Sequence, residues 1–175
     1  YLVEEVVLSI VDIAKDKNIE IIFNTEEEEI ITAIDEEKIV RVILILLSNS
    51  IKFSKEKGDI CVEMRREDEE VVIKVTDNGI GINEDMKEKI FDKFKRVQSV
   101  SNLNVDHEGS GLGLYIAKGF IELHNGSISV VSEVEKGSTF IITIPIVIIK
   151  NDLHNIKHMD EDELNRIIKI ELSDL

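Results

Sequence analysis

The sequence predicts a single α/β domain, and three observations carry that prediction. A chain of 175 residues suits one domain and can hide most of its apolar surface in one core. Segments of helical period alternate with short strand-like runs rich in Val, Ile and Phe. Finally, the strand-like run Val71 to Val75 leads through Asp77 and two glycines into a capped helical segment, a strand-loop-helix join rather than a hairpin.

Composition narrows the functional classes. With 36 Asp plus Glu against 21 Lys plus Arg, the net charge of -15 leaves no basic footprint for nucleic acid, so any phosphate ligand has to be met by local groups. The single Cys61 cannot form an internal disulfide, and its strand-like surroundings predict a buried thiol in a reducing compartment. No zinc-ligand spacing is present. The longest apolar runs, Ile39 to Leu47 and Phe140 to Ile149, are too short to span a bilayer and contain Arg41 and Pro145. There is no signal-peptide pattern, and a chain opening on Tyr1 reads as a fragment whose upstream domains are missing.

Along the chain, apolar residues at 3, 6, 7, 10, 11 and 14 predict an amphipathic helix from Leu2 to Lys15. Ile19 to Phe23 and Ile30 to Ala33 read as a strand pair around the solvated acidic tract Glu26 to Glu29. Asp35 is a suitable N-cap for a helix from Glu36 to Phe53, whose apolar middle predicts burial on every side. Asp59 to Arg66 and Val71 to Asp77 form an expected antiparallel pair. Asn83 begins a helix over 84–91, and the polar stretch Gln98 to Glu108 reads as a long loop of lid type. A glycine-rich entry then opens a helix closed by Asn125-Gly126, and Ser127 to Glu133 pairs with Ser138 to Pro145 around Lys136-Gly137. Beyond Pro145 the composition changes, with a weakly amphipathic segment over 160–172 that reads as a docked helix, a docked strand or disorder.

Three stretches carry chemistry. In Asp77-Asn78-Gly79-Ile80-Gly81 a carboxylate meets bare backbone; an ionised Asp only accepts hydrogen bonds, so it suits the exocyclic amine of adenine and repels the oxygen of guanine. Asn49, Lys52 and Phe53 are spaced by three and four residues and share one helix face. That face offers a magnesium ligand, a phosphate partner and a ring to border a base or sugar, or else it is a polar helix end in water. Gly109-Ser110-Gly111-Leu112-Gly113-Leu114 leads into a helix N-terminus, which is either an anion site or a glycine-assisted helix start. It is no phosphate loop of the Gly-Lys-Ser/Thr type, because Lys118 precedes Gly119. Nor is it a dinucleotide fingerprint, since polar Asp106-His107-Glu108 stands where a strand is required. A protein-kinase loop is excluded by the absence of a following Val-Ala-Ile-Lys strand.

Taken in order, these blocks resemble the catalytic ATP-binding domain of sensor histidine kinases, in the GHKL group with gyrase and MutL-type ATPases. Asn49-Ser50-Ile51-Lys52-Phe53-Ser54 is similar to the N box, Asp77 to Ile82 to the first glycine box, and Ile90 to Val97 to the F box. Gly109 to Leu114, followed by Ile116-Ala117-Lys118, resembles the second glycine box, and Lys136 to Phe140 the closing Gly-Thr-Phe strand. The likeness covers residues 1–146, an expected ATP-binding domain, and leaves 147–175 as a tail without an assigned role.

The resemblance implies a two-layer α/β sandwich of the Bergerat type, with a mixed sheet of about five strands packed on three helices. It implies ATP and Mg2+ as ligands, held between the N-box helix and a lid over 95–110. Asp77 would take the adenine amine while Gly79, Gly81 and Ile82 let the base approach. Asn49 would ligate magnesium, Lys52 and Arg96 would meet phosphates as catalytic groups with Asn49, and Phe53 would border the nucleotide. Phe91 and Phe94 would anchor the lid, with Lys95 beside them, and Thr139 would support the base from beneath. Gly109, Ser110, Gly111, Leu112, Gly113 and Leu114 would wrap the triphosphate.

The implied partners are a dimerisation and histidine phosphotransfer domain of the same, homodimeric protein and a response-regulator receiver domain. The domain would be cytoplasmic, within a parent that in most members is membrane-bound. Two departures stand out. Where the family often has a second Asn, or a Glu that activates water, this chain has Ile45, which cannot act as a base and predicts poor intrinsic ATP hydrolysis. The phosphoacceptor is absent as well: His107 precedes glycine in the expected lid, and His124, His154 and His158 lack the acceptor's neighbours, so all four read as solvated or structural. Two other readings stay open, a serine kinase of the anti-sigma-factor type, against which Ile45 argues, and a nucleotide-sensing interaction module without catalysis.

Overall fold

The computed structural model describes residues 1–27, 29–55, 57–95, 111–149, 158–173 and 175. Its elements are α1 (Leu2–Asp16), β1 (Glu20–Thr25), α2 (Glu36–Phe53), β2 (Asp59–Glu67), β3 (Glu70–Asp77), α3 (Gly113–Leu123), β4 (Ser127–Glu133), β5 (Gly137–Pro145) and α4 (Glu161–Glu171). The five strands form one mixed sheet in the order β1-β2-β3-β5-β4. Only β1 and β2 run parallel; the other neighbours are antiparallel.

Helix α1 turns Val3, Val6, Val7, Ile10 and Ala14 inward, which is the stripe the periodicity predicts. Asp35 caps α2, accepting Lys38 N–H on Oδ1 at 3.1 Å. Helix α2 is buried over most of its length because it touches the sheet and all three other helices. Residues of α1, α2, α3, β2, β3 and β5 form one apolar cluster on one face of the sheet, so three helices lie on a mixed sheet as expected. Two residues past the end of α3, Asn125 takes a positive φ of 56°, a conformation its Asn-Gly sequence suits.

Three expectations are corrected. Ile30 to Ala33 is not a strand: Ala33 N–H donates to Val147 O at 2.8 Å and Thr32 Oγ1 accepts from Val147 N–H at 2.9 Å. The segment thus bonds the chain leaving β5, while β1 takes its ladder from β2. The stretch over 84–91 is two 3-10 turns, Glu84–Met86 and Lys89–Phe91, and Asn83 contributes its backbone carbonyl to Met86 N–H, not a side-chain cap. Cys61 is half-buried and faces away from the helices, where Asn24 Nδ2 donates to its Sγ at 3.4 Å and partial burial raises the thiol pKa. Of the alternatives left open for the segment over 160–172, the docked helix is the one found: α4, whose Ile167 and Ile168, with Leu172 just after it, join the same core.

The tail is also tied by polar contacts. Glu36, in the first turn of α2, accepts His158 Nδ1 on one oxygen and Met159 N–H on the other, both at 2.7 Å. Arg41 bridges Glu37 and Glu171 at 3.1 Å each, and burial raises the Glu171 pKa against the lowering effect of that guanidinium.

Candidate functional site

The site is built where the end of β3 meets the C-terminal half of α2. Asp77 is the last residue of β3, on the face that carries Val71, Ile73 and Val75 into the core, and is only 7% exposed. Burial raises its pKa; hydrogen bonds from Gly79 N–H, Ser138 N–H and the Ser50 hydroxyl oppose that rise. Gly79 N–H lies 2.9 Å from Asp77 Oδ1, and Ser50 Oγ lies 3.5 Å from Oδ2. Ser50 is the helix neighbour of Asn49, so the proposed adenine acceptor and the proposed metal ligand sit on adjoining elements.

Two glycines of this loop have no room for a side chain. A Cβ on Gly79 would stand 2.3 Å from Phe53 O, and one on Gly81, at φ 70°, would stand 2.0 Å from Glu133 O. The loop is therefore pressed between the end of α2 and the turn joining β4 to β5. Phe53 O accepts Ile80 N–H at 3.2 Å from one side, and Glu135 N–H donates to Ile80 O at 2.8 Å from the other. Lys55 closes the sandwich, donating to Glu135 O at 2.6 Å.

Other predicted residues fall into place unevenly. Asn49, Lys52 and Phe53 are half-buried on the last turns of α2, and Ile82 and Phe91 are buried. Leu112 precedes α3, whose first turn has no side-chain cap, and Gly113 opens it with Leu114 packed on the core. Phe94 does not anchor by burial: it is 70% exposed at φ 60°, and its N–H donates to Gly111 O at 3.0 Å, joining the two ends of the expected lid. Lys95 is exposed, and Lys93 Nζ sits 4.8 Å above the Tyr115 ring. Arg96, Gly109 and Ser110, with the lid from 96 onward, lie outside the described residues, as do His107 and His154.

Thr139 requires a correction. Strand alternation puts it on the opposite face of the sheet from Asp77, where its hydroxyl pairs with Thr76 Oγ1 at 3.1 Å. Its neighbour Ser138 takes the inward position and gives its N–H to Asp77. Sequence reasoning missed Ser138, Ser50 and Ser132 as site residues: Ser50 and Ser138 lie within the N-box and closing-strand blocks without a role of their own, and Ser132 stands four residues before the closing block with no signal. His124 is structural, accepting Asp35 N–H on Nε2 at 2.9 Å with Nδ1 2.7 Å from Phe120 O, and His158 is taken up by Glu36.

This arrangement fits a nucleotide. A buried acceptor adjoins a loop too tight for side chains. For magnesium the fit rests on donor chemistry alone: Asn49 offers a hard amide oxygen, and no cluster of three or more His, Cys, Asp or Glu side chains suited to a metal occurs among the described residues.

Comparison with known proteins gives the family. The model for histidine kinase-, DNA gyrase B- and HSP90-like ATPases matches residues 34–148. Sensor histidine kinase WalK of Bacillus subtilis is 35% identical over 136 residues, 77% of this chain and 22% of its own length. The chain likewise spans 10% of histidine kinase P4 of Formosa agariphila, at 33% identity over 82% of this chain. Among solved structures, the catalytic domain of histidine kinase ThkA matches with TM-score 0.72 and 29% identity, covering 84% of this chain and 93% of that one. Full-length ShkA in complex with AMPPNP matches with TM-score 0.72 at 26% identity over 83% of this chain and 29% of that one. ThkA in complex with the response regulator TrrA matches at 0.68 and 28% identity, over 83% of this chain and 40% of that one. The chain belongs to the histidine kinase-, DNA gyrase B- and HSP90-like ATPase family, as a domain of the sensor histidine kinase type.

Proposed function

We propose that this domain binds Mg-ATP and donates its γ-phosphate to a histidine on a separate dimerisation domain of the same protein, from which a response-regulator receiver domain takes the phosphoryl group. The observation that carries the reading is the buried Asp77 carboxylate beside two glycines whose Cβ positions are filled by backbone. Ionised Asp77 accepts the adenine amine, and Ser50, Gly79 and Ser138 hold that carboxylate in place. Asn49 holds magnesium, Lys52 and Arg96 meet phosphate oxygens, and the backbone at Gly109, Ser110, Gly111 and Gly113 follows the triphosphate. Magnesium, when bound, neutralises charge on the phosphates. Phosphoryl transfer needs mainly positioning and charge neutralisation, and an attacking imidazole is its own nucleophile, so the chain supplies no base.

Support for the partners comes from the ThkA complex with a response regulator, and for the nucleotide from the ShkA complex with AMPPNP. The parent protein is read as a homodimer with this domain in the cytoplasm; no described helix is long and apolar enough to cross a membrane. A second reading, a nucleotide-sensing module without catalysis, is favoured by Ile45 and by the docked tail helix. One experiment separates the two: this chain is titrated with ATP, ADP and GTP with and without magnesium, then mixed with a supplied histidine-bearing dimerisation domain and labelled ATP. Magnesium-enhanced, adenine-selective binding followed by phosphohistidine supports the kinase. Binding without transfer supports the sensor, and no binding at millimolar nucleotide overturns both.

A further inference from the structure

The first glycine loop is held from the edge of the sheet by one buried hydroxyl that no sequence block includes. Ser132 Oγ, on the edge strand β4, accepts Ile82 N–H at 2.8 Å, donates to Gly137 O at 2.8 Å, and lies 3.0 Å from Ser138 Oγ. A hydroxyl has one hydrogen and two acceptor positions. Donation to Gly137 spends the hydrogen, Ile82 and Ser138 fill the acceptor positions, and the group is fully satisfied.

Its three partners all adjoin Asp77. Ser138 gives its own N–H to the Asp77 carboxylate. Gly137, at φ 105°, packs so closely that a Cβ there would lie 2.0 Å from Asp77 O. Ile82 ends the loop that leaves Asp77. The same hydroxyl thus sets the far end of the glycine loop against the two residues that flank the carboxylate.

We infer that Ser132 is a positioning residue for base recognition: it fixes the spacing between the Ile82 end of the loop and the Asp77 carboxylate, and so sets how strongly the site prefers adenine. The inference rests on the proposed nucleotide reading. Alanine at 132 takes away the acceptor of the buried Ile82 N–H and one donor to Gly137 O, and the loop relaxes outward to find water. Threonine keeps the hydroxyl and suits a strand.

The test compares ADP and GDP affinities of the wild-type chain, Ser132→Ala and Ser132→Thr by calorimetry, with hydrogen exchange of the Ile82 amide as a local readout. Expected are an ADP-over-GDP preference in wild type that falls about tenfold in Ser132→Ala, faster Ile82 exchange with the remaining core amides unchanged, and recovery in Ser132→Thr. An unchanged preference in Ser132→Ala, whatever its melting temperature, would make Ser132 merely structural and overturn the inference. Absence of ADP binding by wild type sinks the nucleotide reading itself, and this proposal with it. Should Ser132→Ala fail to fold, Ser132→Cys, which keeps the side-chain size but is a much weaker hydrogen-bonding group toward Ile82 N–H and Gly137 O, is judged by the same two outcomes.

Discussion

Ile45 and Gly113 face each other where α2 meets the start of α3: a Cβ on Gly113 would stand 3.2 Å from Ile45 Cγ2. Ile45 is 5% exposed, so the N-terminus of α3 abuts an apolar side chain that can neither move a proton nor orient water. A general base contributes roughly 10²- to 10⁴-fold in rate. Steady-state ATP hydrolysis by this chain is therefore expected about a thousandfold below the ~10 s⁻¹ of a median enzyme. A coupled phosphate-release assay measures it, and brisk magnesium-dependent turnover would defeat the expectation.

Asp77→Asn should trade binding for stability. The carboxyl pKa is raised above its ordinary 3.8 by burial, so the native state holds the proton more tightly than the unfolded chain. That contribution favours folding below the ordinary value and is lost as pH rises through the higher native one. At pH 7 ionised Asp77 thus costs stability that asparagine does not, and the mutant's advantage should shrink as pH falls toward 4. Thermal melts from pH 4 to 8 should show the nucleotide-free mutant as stable as wild type or more so at pH 7, while adenine-nucleotide binding collapses.

Gly79→Ala and Gly119→Ala are opposite cases. The first sets a methyl 2.3 Å from a backbone carbonyl, and overpacking of that kind costs about 1 to 3 kcal/mol. A Cβ on Gly119 would meet nothing within 4 Å beyond its own helix backbone, so alanine in mid-helix should stabilise by about 0.5 to 1 kcal/mol. Urea denaturation reads both, and equal effects from the two substitutions would contradict the packing described.

Ile167→Ala probes the tail helix. Ile167 is 1% exposed in the cluster shared with α2, and truncating such a residue costs about 2 to 5 kcal/mol. Because α4 and α2 share one core, a single cooperative transition should move to lower denaturant. A separate early transition with an unshifted main one would show that the tail folds apart.

Much of this domain was legible in the residues. The helix stripes of α1 and α2, the Asp35 cap, the Asn125-Gly126 stop and the order of the blocks are local properties, set by periodicity and by what glycine and short polar side chains allow. The Asp77 carboxylate and its glycines were likewise readable, because burying an acceptor beside bare backbone needs those residue types. What the sequence could not determine was pairing between distant segments. Only tertiary contact decides that β1 lies parallel to β2 while Ile30 to Ala33 bonds the exit of β5, since either apolar run has the composition of a strand. Only register decides that Ser138 faces Asp77 and Thr139 faces Thr76, because a shift of one residue exchanges the faces. The docking of α4 on α2 and the convergence of Ile82, Gly137 and Ser138 on Ser132 belong to the same class: each joins side chains far apart in the chain or on different elements, and their meeting follows from how the core closes, not from any local preference.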